Sequence, residues 1–473
     1  MKYTILVNKN NPIKSNYLNK MNLLEIKNVY EEKVLIEEET YKKYLELEKK
    51  LKEKDITIGI DSAYRSFTEQ EELIKEFENK YGKDYTEKTV SKVGMSEHHT
   101  GLAIDIVVKV NNEWLEPNAN QEKTEAILKE VQKYLHNYGF ILRYPKEKES
   151  ITGYDYESWH IRYVGKVPAK IMYEEKLTLE EYLKDFSGVL YINKPKGVTS
   201  FDVVNEISHL FGIKRVGHTG TLDPLAEGVL IIAIGKATKI VELLTAEDKE
   251  YIAGVKLGIK TDTYDIEGKV IERKQVPSNI NLEEILKSFQ KTYLQEVPIF
   301  SAVKVNGKKL YDYARKNENV ELPKKEVTIK EIELLESNKQ TFTFRALVTK
   351  GCYIRSLIND IGEKLNTHAT MTSLVRTKQG KIQLKETNTL EDIKNNEYKL
   401  YKIEEVLNYP IIRVNEELAF KISNGVKIEN KWKIADKVIF KDDKNCLLAI
   451  YQESSDGLIS WKGFLWQTQV NIV

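Results

Sequence analysis

The sequence predicts an α+β protein made of more than one unit, and three observations support that expectation. A chain of 473 residues exceeds what one hydrophobic core of ordinary size organises. Short strands alternate with charged amphipathic helices up to about residue 185, whereas strands are longer and more frequent beyond it. The charge balance changes at the same place, with 30 Lys+Arg against 34 Asp+Glu through residue 185 and 43 against 38 thereafter. The second part is therefore mildly basic, which suits a nucleic-acid partner without requiring one.

In chain order, "EETYKKYLELEKKLKEKD" (38–55) has helical spacing of Tyr41, Leu45, Leu47 and Leu51 among charges of both signs. A short strand, "ITIGI", ends at "DSAYRSF". The helix "TEQEELIKEFENKYG" is expected to begin at Thr68, with Glu71 three residues on as a capping box. The β-branched run "HHTGLAIDIVVKV" predicts a strand, "NQEKTEAILKEVQKYLHNYG" a helix, and "SWHIRYVG" a last strand closing this unit near residue 166. The run "KLTLEEYLKDFSG" (176–188) is a helical join. After it come the strands "GVLYIN", "GVLIIAIG", "EYIAGVKLG", "TIKEIELLE" and "TFTFRALVTKG", with the helices "DVVNEISHLFG" and "NLEEILKSFQKTY" between them. From about 385 a small strand-rich tail follows, with "KVIFKDD" and "CLLAIYQES".

Composition excludes several classes. Hydrophobic residues at 41% and charged residues at 31% describe a globular chain, neither disordered nor membrane-embedded. Two cysteines, Cys352 and Cys446, rule out a disulfide framework or a cysteine metal cluster as the main structural device. No stretch approaches the roughly 18 apolar residues of a membrane span, and the start, "MKYTILVNKNNPIK", lacks the apolar core of a signal peptide. A cytoplasmic protein without membrane contact is expected.

The stretch "GMSEHHTGLAIDI" offers a first constellation. Catalytic zinc takes three His, Asp or Glu ligands and leaves a fourth position to water. His98, Asp105 and His160 can supply that set, with Gly101 turning the chain between the first two. Glu157 is a candidate base, provided "GYDYES" bends, because in a regular strand Glu157 and His160 face opposite sides. Arg65 can hold a substrate carboxylate. On spacing alone, packed or surface histidines remain the commoner alternative.

"SEHHTGLAID" with "ESWHIRYVG" resembles the VanY-type zinc-dependent D-alanyl-D-alanine carboxypeptidases, whose pattern is S-x-H-x-x-G-x-A-x-D followed by E-x-x-H. The likeness runs over roughly residues 3–170 and includes "SAYRS". It implies zinc on His98, Asp105 and His160, Glu157 as catalytic base, Arg65 and Ser96 as substrate-binding groups, and D-Ala-D-Ala-terminated peptides as substrates. His99 falls on a variable position, as a surface residue or one behind the ligands. Peptidoglycan-trimming members work outside the cytoplasmic membrane, and this sequence shows no export signal.

A second constellation lies in "GHTGTLDPLAEGVLIIAIG", where an Asp-Pro turn precedes an apolar strand. Alone it reads as turn chemistry. Five ordered segments, "GVLYINKPKGVTSFDVVNEI", "KRVGHTGTLDPLAEGVL", "KEYIAGVKLGIKTDTYDIEG", "VPIFSAVKVNGKKLYDYAR" and "KGCYIRSLINDIGEKL", resemble the TruB family, which converts uridine to pseudouridine at position 55 of tRNA. The likeness covers about 187–385. It implies Asp223 as the catalytic carboxylate, acting as nucleophile at the anomeric carbon or as base at the neighbouring ribose carbon, with no cofactor. Arg355 is implied as its partner, Tyr251 as the ring stacking on a flipped base, His218 as a support of the flipped arm, and Leu374 as an apolar wall. Glu227 departs from the family, which commonly has a small or hydroxylated residue there.

The expected architecture is thus a zinc-peptidase-like α+β domain over 1–175, a helical linker over 176–187, a mixed-sheet pseudouridine-synthase domain over 188–385, and a β-rich PUA-like unit over 400–473. "NGVKIENKWKI" and "FLWQTQV" mark that last unit. The leading functional reading is tRNA pseudouridine synthesis on the TΨC arm by a monomer carrying a peptidase-like domain. The alternative makes the zinc peptidase the working unit and the synthase half an RNA-binding or chaperone module, against which the intact Asp223, Tyr251 and Arg355 argue. A third reading treats the N-terminal domain as an appendage without turnover, and a misjoined reading frame would also bring two unrelated modules together.

Overall fold

Residues Ala103–Val110, AIDIVVKV, are buried along most of their length, and this strand takes the middle of a five-stranded antiparallel sheet. The order is Ile58–Ser62, Ala103–Val110, His160–Tyr163, Phe140–Leu142, with Glu113–Leu115 hairpinned onto the second strand. Asn111 and Asn112 make that hairpin turn with φ of 48° and 72°, the left-handed pair that Asn tolerates best after Gly. Side chains alternate along the strand. Ile104, Ile106 and Val108 join Ile161, Leu47, Leu51, Leu128 and Val131 in the core, and Asp105 and His160 therefore share the other face, paired directly in register. Helices Glu38–Lys52 and Gln121–Leu135 cover the core face with their buried stripes.

The computed structural model describes residues 3–13, 17 and 21–464. By internal contacts the chain forms two units, the first of Met1–Phe186 with Glu206–Lys214 and Glu391–Glu397, the second of Ser187–Asn205, Arg215–Leu390 and Tyr398–Val473. The joining helix, Leu179–Asp185, is capped by Thr178 and Glu181 and falls in the first unit.

Three local expectations are corrected. The second helix starts at Phe67, capped by Ser66, whose hydroxyl accepts from the Glu69 amide at 3.2 Å while the Glu69 carboxylate accepts from the Ser66 amide at 2.7 Å. Thr68 and Glu71 have the same spacing, but the chain already turns at Ser66. The histidine pair is in a 3-10 turn, Glu97–Thr100, ended by Gly101 at φ 67°, and the strand begins only at Ala103. The helix expected across "NLEEILKSFQKTY" stops at Lys287, and Thr292–Glu296 joins a sheet edge beside Lys324–Ser337, because Tyr293 and its neighbours gain cross-strand partners there.

In the second unit a nine-stranded sheet runs Thr292–Glu296, Lys324–Ser337, Thr341–Val348, Lys249–Leu257, Ala369–Gln379, Ala226–Gly235, Ser187–Lys194, with short strands Val216–His218 and Ile382–Gln383 attached. Only the pairing of Ala226–Gly235 with Ala369–Gln379 is parallel among its described ladders. Helix Ile354–Lys364 presses Leu357, Ile358 and Ile361 onto Val255, Phe342, Phe344 and Met371. A separate four-stranded sheet, Ile411–Arg413, Lys437–Lys441, Leu447–Ser454 and Gly457–Gly463, has its own buried cluster with Phe440 and Tyr451. "NGVKIENKWKI" contributes no strand to it, only a bridge from Ile428 to Leu458. "FLWQTQV" beyond Phe464 lies outside the described residues. No helix among the described residues is long and apolar enough to cross a membrane.

Gly228 stands where the parallel pairing ends, at φ 105°, and a Cβ there would lie 2.3 Å from the Arg376 carbonyl oxygen. Gly228→Ala is expected to destabilise the second unit by about 1–3 kcal/mol or more, since both a strained dihedral and a backbone clash arise. Urea unfolding followed by tryptophan fluorescence checks this; an unchanged midpoint contradicts it.

Candidate active sites

The first site forms where the strand alternation delivers Asp105 and His160 beside the 3-10 turn that carries His98. Asp105 Oδ1 lies 2.8 Å from His160 Nδ1, and Asp105 Oδ2 lies 3.1 Å from His98 Nε2. One ligand atom from each of the three residues falls within 4.8 Å of the others. The His98 Nδ1 proton is committed to the Ala63 carbonyl at 2.5 Å, and a carbonyl only accepts, so Nε2 is the atom offered inward. The opposite nitrogen of His160, Nε2, is buried without a hydrogen-bond partner, as is Glu97 Oε2.

Burial opposes charge on His160, yet the Asp105 carboxylate outweighs it and pushes the ring up to about 10. Burial also works against the Asp105 charge, and the two rings still hold it far below the usual carboxylate range. His98 is shifted down by burial. Two imidazole nitrogens and a carboxylate oxygen converging on one point are a borderline-soft donor set that suits zinc, which would take the place of the protons Asp105 otherwise accepts.

Glu157 lies 3.8 Å from His160 Nδ1. The stretch from Gly153, at φ 79°, to Trp159 is irregular, so the required bend is present. Burial pushes the Glu157 carboxyl up to about 7, in the range that suits proton transfer near neutrality. Arg65 and Ser96 line the same cavity of about 390 Å³ with His98, Asp105, Glu157 and His160. Arg65 donates to Gln70 Oε1 at 3.1 Å, and the Ser96 hydroxyl accepts from the His98 amide at 3.3 Å. His99 is wholly buried, not a surface residue, and bridges the Arg65 carbonyl at 2.7 Å and the Gly94 amide at 3.1 Å, fixing the loop that presents Arg65. The sequence reading missed Gln70 and the buried Glu97, Arg143 and Arg162. Glu97 lay inside the quoted motif, and its charge beside two histidines was the available signal.

The second site centres on Asp223, in the turn before strand Ala226–Gly235. Arg355, at the start of helix Ile354–Lys364, grips it through two contacts, Nε to Oδ2 at 2.9 Å and Nη2 to Oδ1 at 3.2 Å. The guanidinium also donates to the carbonyls of Thr263 at 3.1 Å and Phe300 at 3.0 Å. Burial nevertheless wins, and the Asp223 carboxyl is shifted above its ordinary value although Arg355 pulls it down. Tyr251 and Leu374, on adjacent strands, share with Asp223 and Arg355 a cavity of about 670 Å³. His218 is not among the lining residues; its Nδ1 accepts from the Gly220 amide at 3.2 Å and shapes the loop that does line the cavity. Glu227 is exposed. Missed in the sequence were Asp265, whose Oδ2 lies 3.7 Å from Arg355 Nη1, and Lys249 and Arg376 in the wall. Asp265 stood within "KTDTYDIEG", where a Thr/Asp-rich turn between strands was the only sign of it.

Comparison with known proteins matches both halves of the sequence. Residues 33–166 match the family model described as D-alanyl-D-alanine carboxypeptidase, residues 208–354 the TruB family pseudouridylate synthase N-terminal domain, and residues 355–416 the tRNA pseudouridylate synthase B C-terminal domain. tRNA pseudouridine synthase B of Oceanobacillus iheyensis is 45% identical over 280 residues, 56% of this chain and 92% of the relative. The protein of the same name from Fusobacterium nucleatum is 45% identical over 266 residues, 54% of this chain and 93% of the relative. A solved structure of VanYB in complex with D-Alanine-D-Alanine is 29% identical over 39% of this chain and 98% of that one, at a TM-score of 0.33. With nearly the full length of such relatives matched at this identity, the chain belongs to the TruB family of tRNA pseudouridine synthases and carries a VanY-like carboxypeptidase domain ahead of the synthase.

Proposed function

We propose that the chain isomerises uridine 55 in the TΨC arm of tRNA at Asp223, and that its N-terminal domain is a zinc D-alanyl-D-alanine carboxypeptidase. The observation that carries the first part is the two-point Asp223–Arg355 pair at a cavity walled by Tyr251 and Leu374. Isomerisation breaks the base–ribose bond, turns the base and rejoins it through carbon, with no redox change. Asp223 serves as nucleophile at the anomeric carbon or as base at the neighbouring ribose carbon, and both roles need the carboxylate charged. Arg355 supplies that charge balance and fixes the direction of the oxygens. The target base is flipped out of its arm and stacks on Tyr251, with Leu374 closing the apolar side. His218 supports the flipped arm through the loop it orders. Arg315, Lys325 and Lys350 at the cavity edge are exposed and meet phosphates.

In the first domain His98, Asp105 and His160 would hold zinc, which when bound would supply Lewis-acid chemistry for hydrolysis of a peptide bond. Glu157, whose carboxyl burial pushes up to about 7, is placed as the proton acceptor, while Arg65 and Ser96 hold the terminal carboxylate of a D-Ala-D-Ala-ended peptide. The domain boundaries follow as 1–175, 176–187, 188–385 and 400–473, with the four-stranded sheet acting as a PUA-like contact for tRNA. A cytoplasmic monomer fits the tRNA substrate. The pairing at Asp223 favours a working synthase over an RNA-binding or chaperone module.

Four variants test these roles. Asp223→Asn is expected to lower pseudouridine formation by more than about 1,000-fold while tRNA binding stays near parental; turnover close to the parent sinks the assignment. Arg355→Met removes the cation that pulls the Asp223 carboxyl down, so the acid limb of single-turnover rate against pH is expected to move to higher pH; an unmoved limb contradicts the pairing. His160→Ala is expected to lose zinc on elemental analysis, whereas Glu157→Ala keeps zinc and releases D-alanine about 100- to 10,000-fold more slowly; parental hydrolysis by Glu157→Ala shows the base lies elsewhere.

A further inference from the structure

Behind the metal ligands lies a buried charge relay that the peptidase chemistry does not itself use. Glu97 is almost wholly buried. Its Oε1 meets two fully buried arginines, Arg143 Nε at 2.7 Å and Arg162 Nη1 at 2.8 Å. Its Oε2 has no hydrogen-bond partner among the described residues and lies 3.9 Å from His160 Nε2, which also has none. Two buried polar atoms that face each other at ion-pair distance without a hydrogen bond are costly unless some state of the site closes the gap.

The relay continues outward. Arg143 grips Glu180 through Nη1 at 3.0 Å and Nη2 at 2.6 Å, and Asn8 Nδ2 donates to the same carboxylate at 3.1 Å. Glu180 is on the joining helix Leu179–Asp185, beyond the residues that match the carboxypeptidase family. Arg162 is held independently by the carbonyls of Tyr3 and Ile5, at 3.0 and 2.8 Å.

We propose that Glu97, oriented by Arg143 and Arg162 and braced by Glu180 of the joining helix, is the positioning residue that takes the His160 Nε2 proton as a hydrogen bond and so dedicates Nδ1 to the metal. This rests on the zinc reading of the first site. The geometry requires it in the following sense. His160 has two ring nitrogens, and only Nδ1 faces Asp105 and the ligand cluster. A carboxylate behind a metal-bound imidazole fixes its tautomer and ring angle and raises its basicity, and loss of such a partner typically weakens metal binding by about 10- to 100-fold. The arginines keep that carboxylate charged and single in orientation, because Oε1 is occupied and only Oε2 remains for histidine. The join between the two halves is thereby part of the metal centre's support, so that a domain cut at the end of the family match would lose the brace.

The test uses the full-length chain, with zinc affinity from chelator competition and the visible spectrum of the cobalt(II)-substituted protein. Hydrogen-exchange protection of the first unit's central strand, Ala103–Val110, in the same samples reports that this unit is folded. Glu97→Gln is expected to weaken zinc by about 10- to 100-fold and to shift the cobalt bands. Glu180→Gln, which leaves Glu97 and His160 in place, is expected to weaken zinc by a smaller factor in the same direction. A folded Glu97→Gln chain with parental affinity and spectrum overturns the proposal. Should Glu97→Gln fail to fold, Glu180→Gln decides, and parental affinity there overturns it equally. A parent chain that binds no zinc removes the zinc reading itself, a result distinct from either.

Discussion

Taking a carboxylate out of water costs several kcal/mol unless cations and donors meet it, and both sites are organised around that cost. At Asp223 the counter-charge is a guanidinium whose remaining donors are spent on the carbonyls of Thr263 and Phe300, so it has no freedom to swing away. At Asp105 it is two imidazoles, His98 held by the Ala63 carbonyl behind it and His160 with the Glu97 carboxylate at its back. The consequence differs. Burial dominates at Asp223, leaving its carboxyl above the ordinary value, whereas paired rings dominate at Asp105 and hold it charged as a ligand must be.

Each constraint is met by regular structure rather than by loops alone. In the first unit the register of two antiparallel strands sets Asp105 opposite His160, and the same alternation commits their neighbours to the core, so a slip of one residue would exchange metal ligands for isoleucines. In the second unit Tyr251 and Leu374 are on neighbouring central strands, while Asp223 and Arg355 come from a turn and a helix start. The site is thus spread over four segments distant in sequence, and the sheet brings them to one cavity. The Asp223 turn closes on the Ala226 amide, which donates to the Asp223 carbonyl at 3.0 Å, and Ala226 is also the first residue of the parallel pairing.

Much of this was legible from residue order. His98, Asp105, His160 and Glu157 were marked by motifs and line one cavity, and Asp223 and Arg355 were marked by others and pair in a second. The bend needed between Glu157 and His160 was deducible from strand geometry alone. What escaped was set by long-range partners. Ser66 and Thr68 carry equivalent capping spacings, and only the preceding turn chooses between them. The segment at 288–293 has helical periodicity, yet an edge of the sheet captures its end. His99 offered no sign of being buried, because its partners, the Arg65 carbonyl and Gly94 amide, are backbone atoms.

The sequence by itself determined the α+β class and the presence of a VanY-like carboxypeptidase domain ahead of a TruB-type synthase, and it marked side chains that gather in each cavity, because side-chain chemistry and local periodicity are properties of short stretches. Tertiary structure alone decided which atoms those groups present. The inward nitrogen of His98 follows from a carbonyl 35 residues away, and the upward shift at Asp223 from burial that outweighs an arginine 132 residues away. The support behind His160 comes from arginines and a joining helix with no motif of their own. Burial, hydrogen-bond partnership and charge pairing are relations between distant residues, and they exist only once the chain has closed on itself.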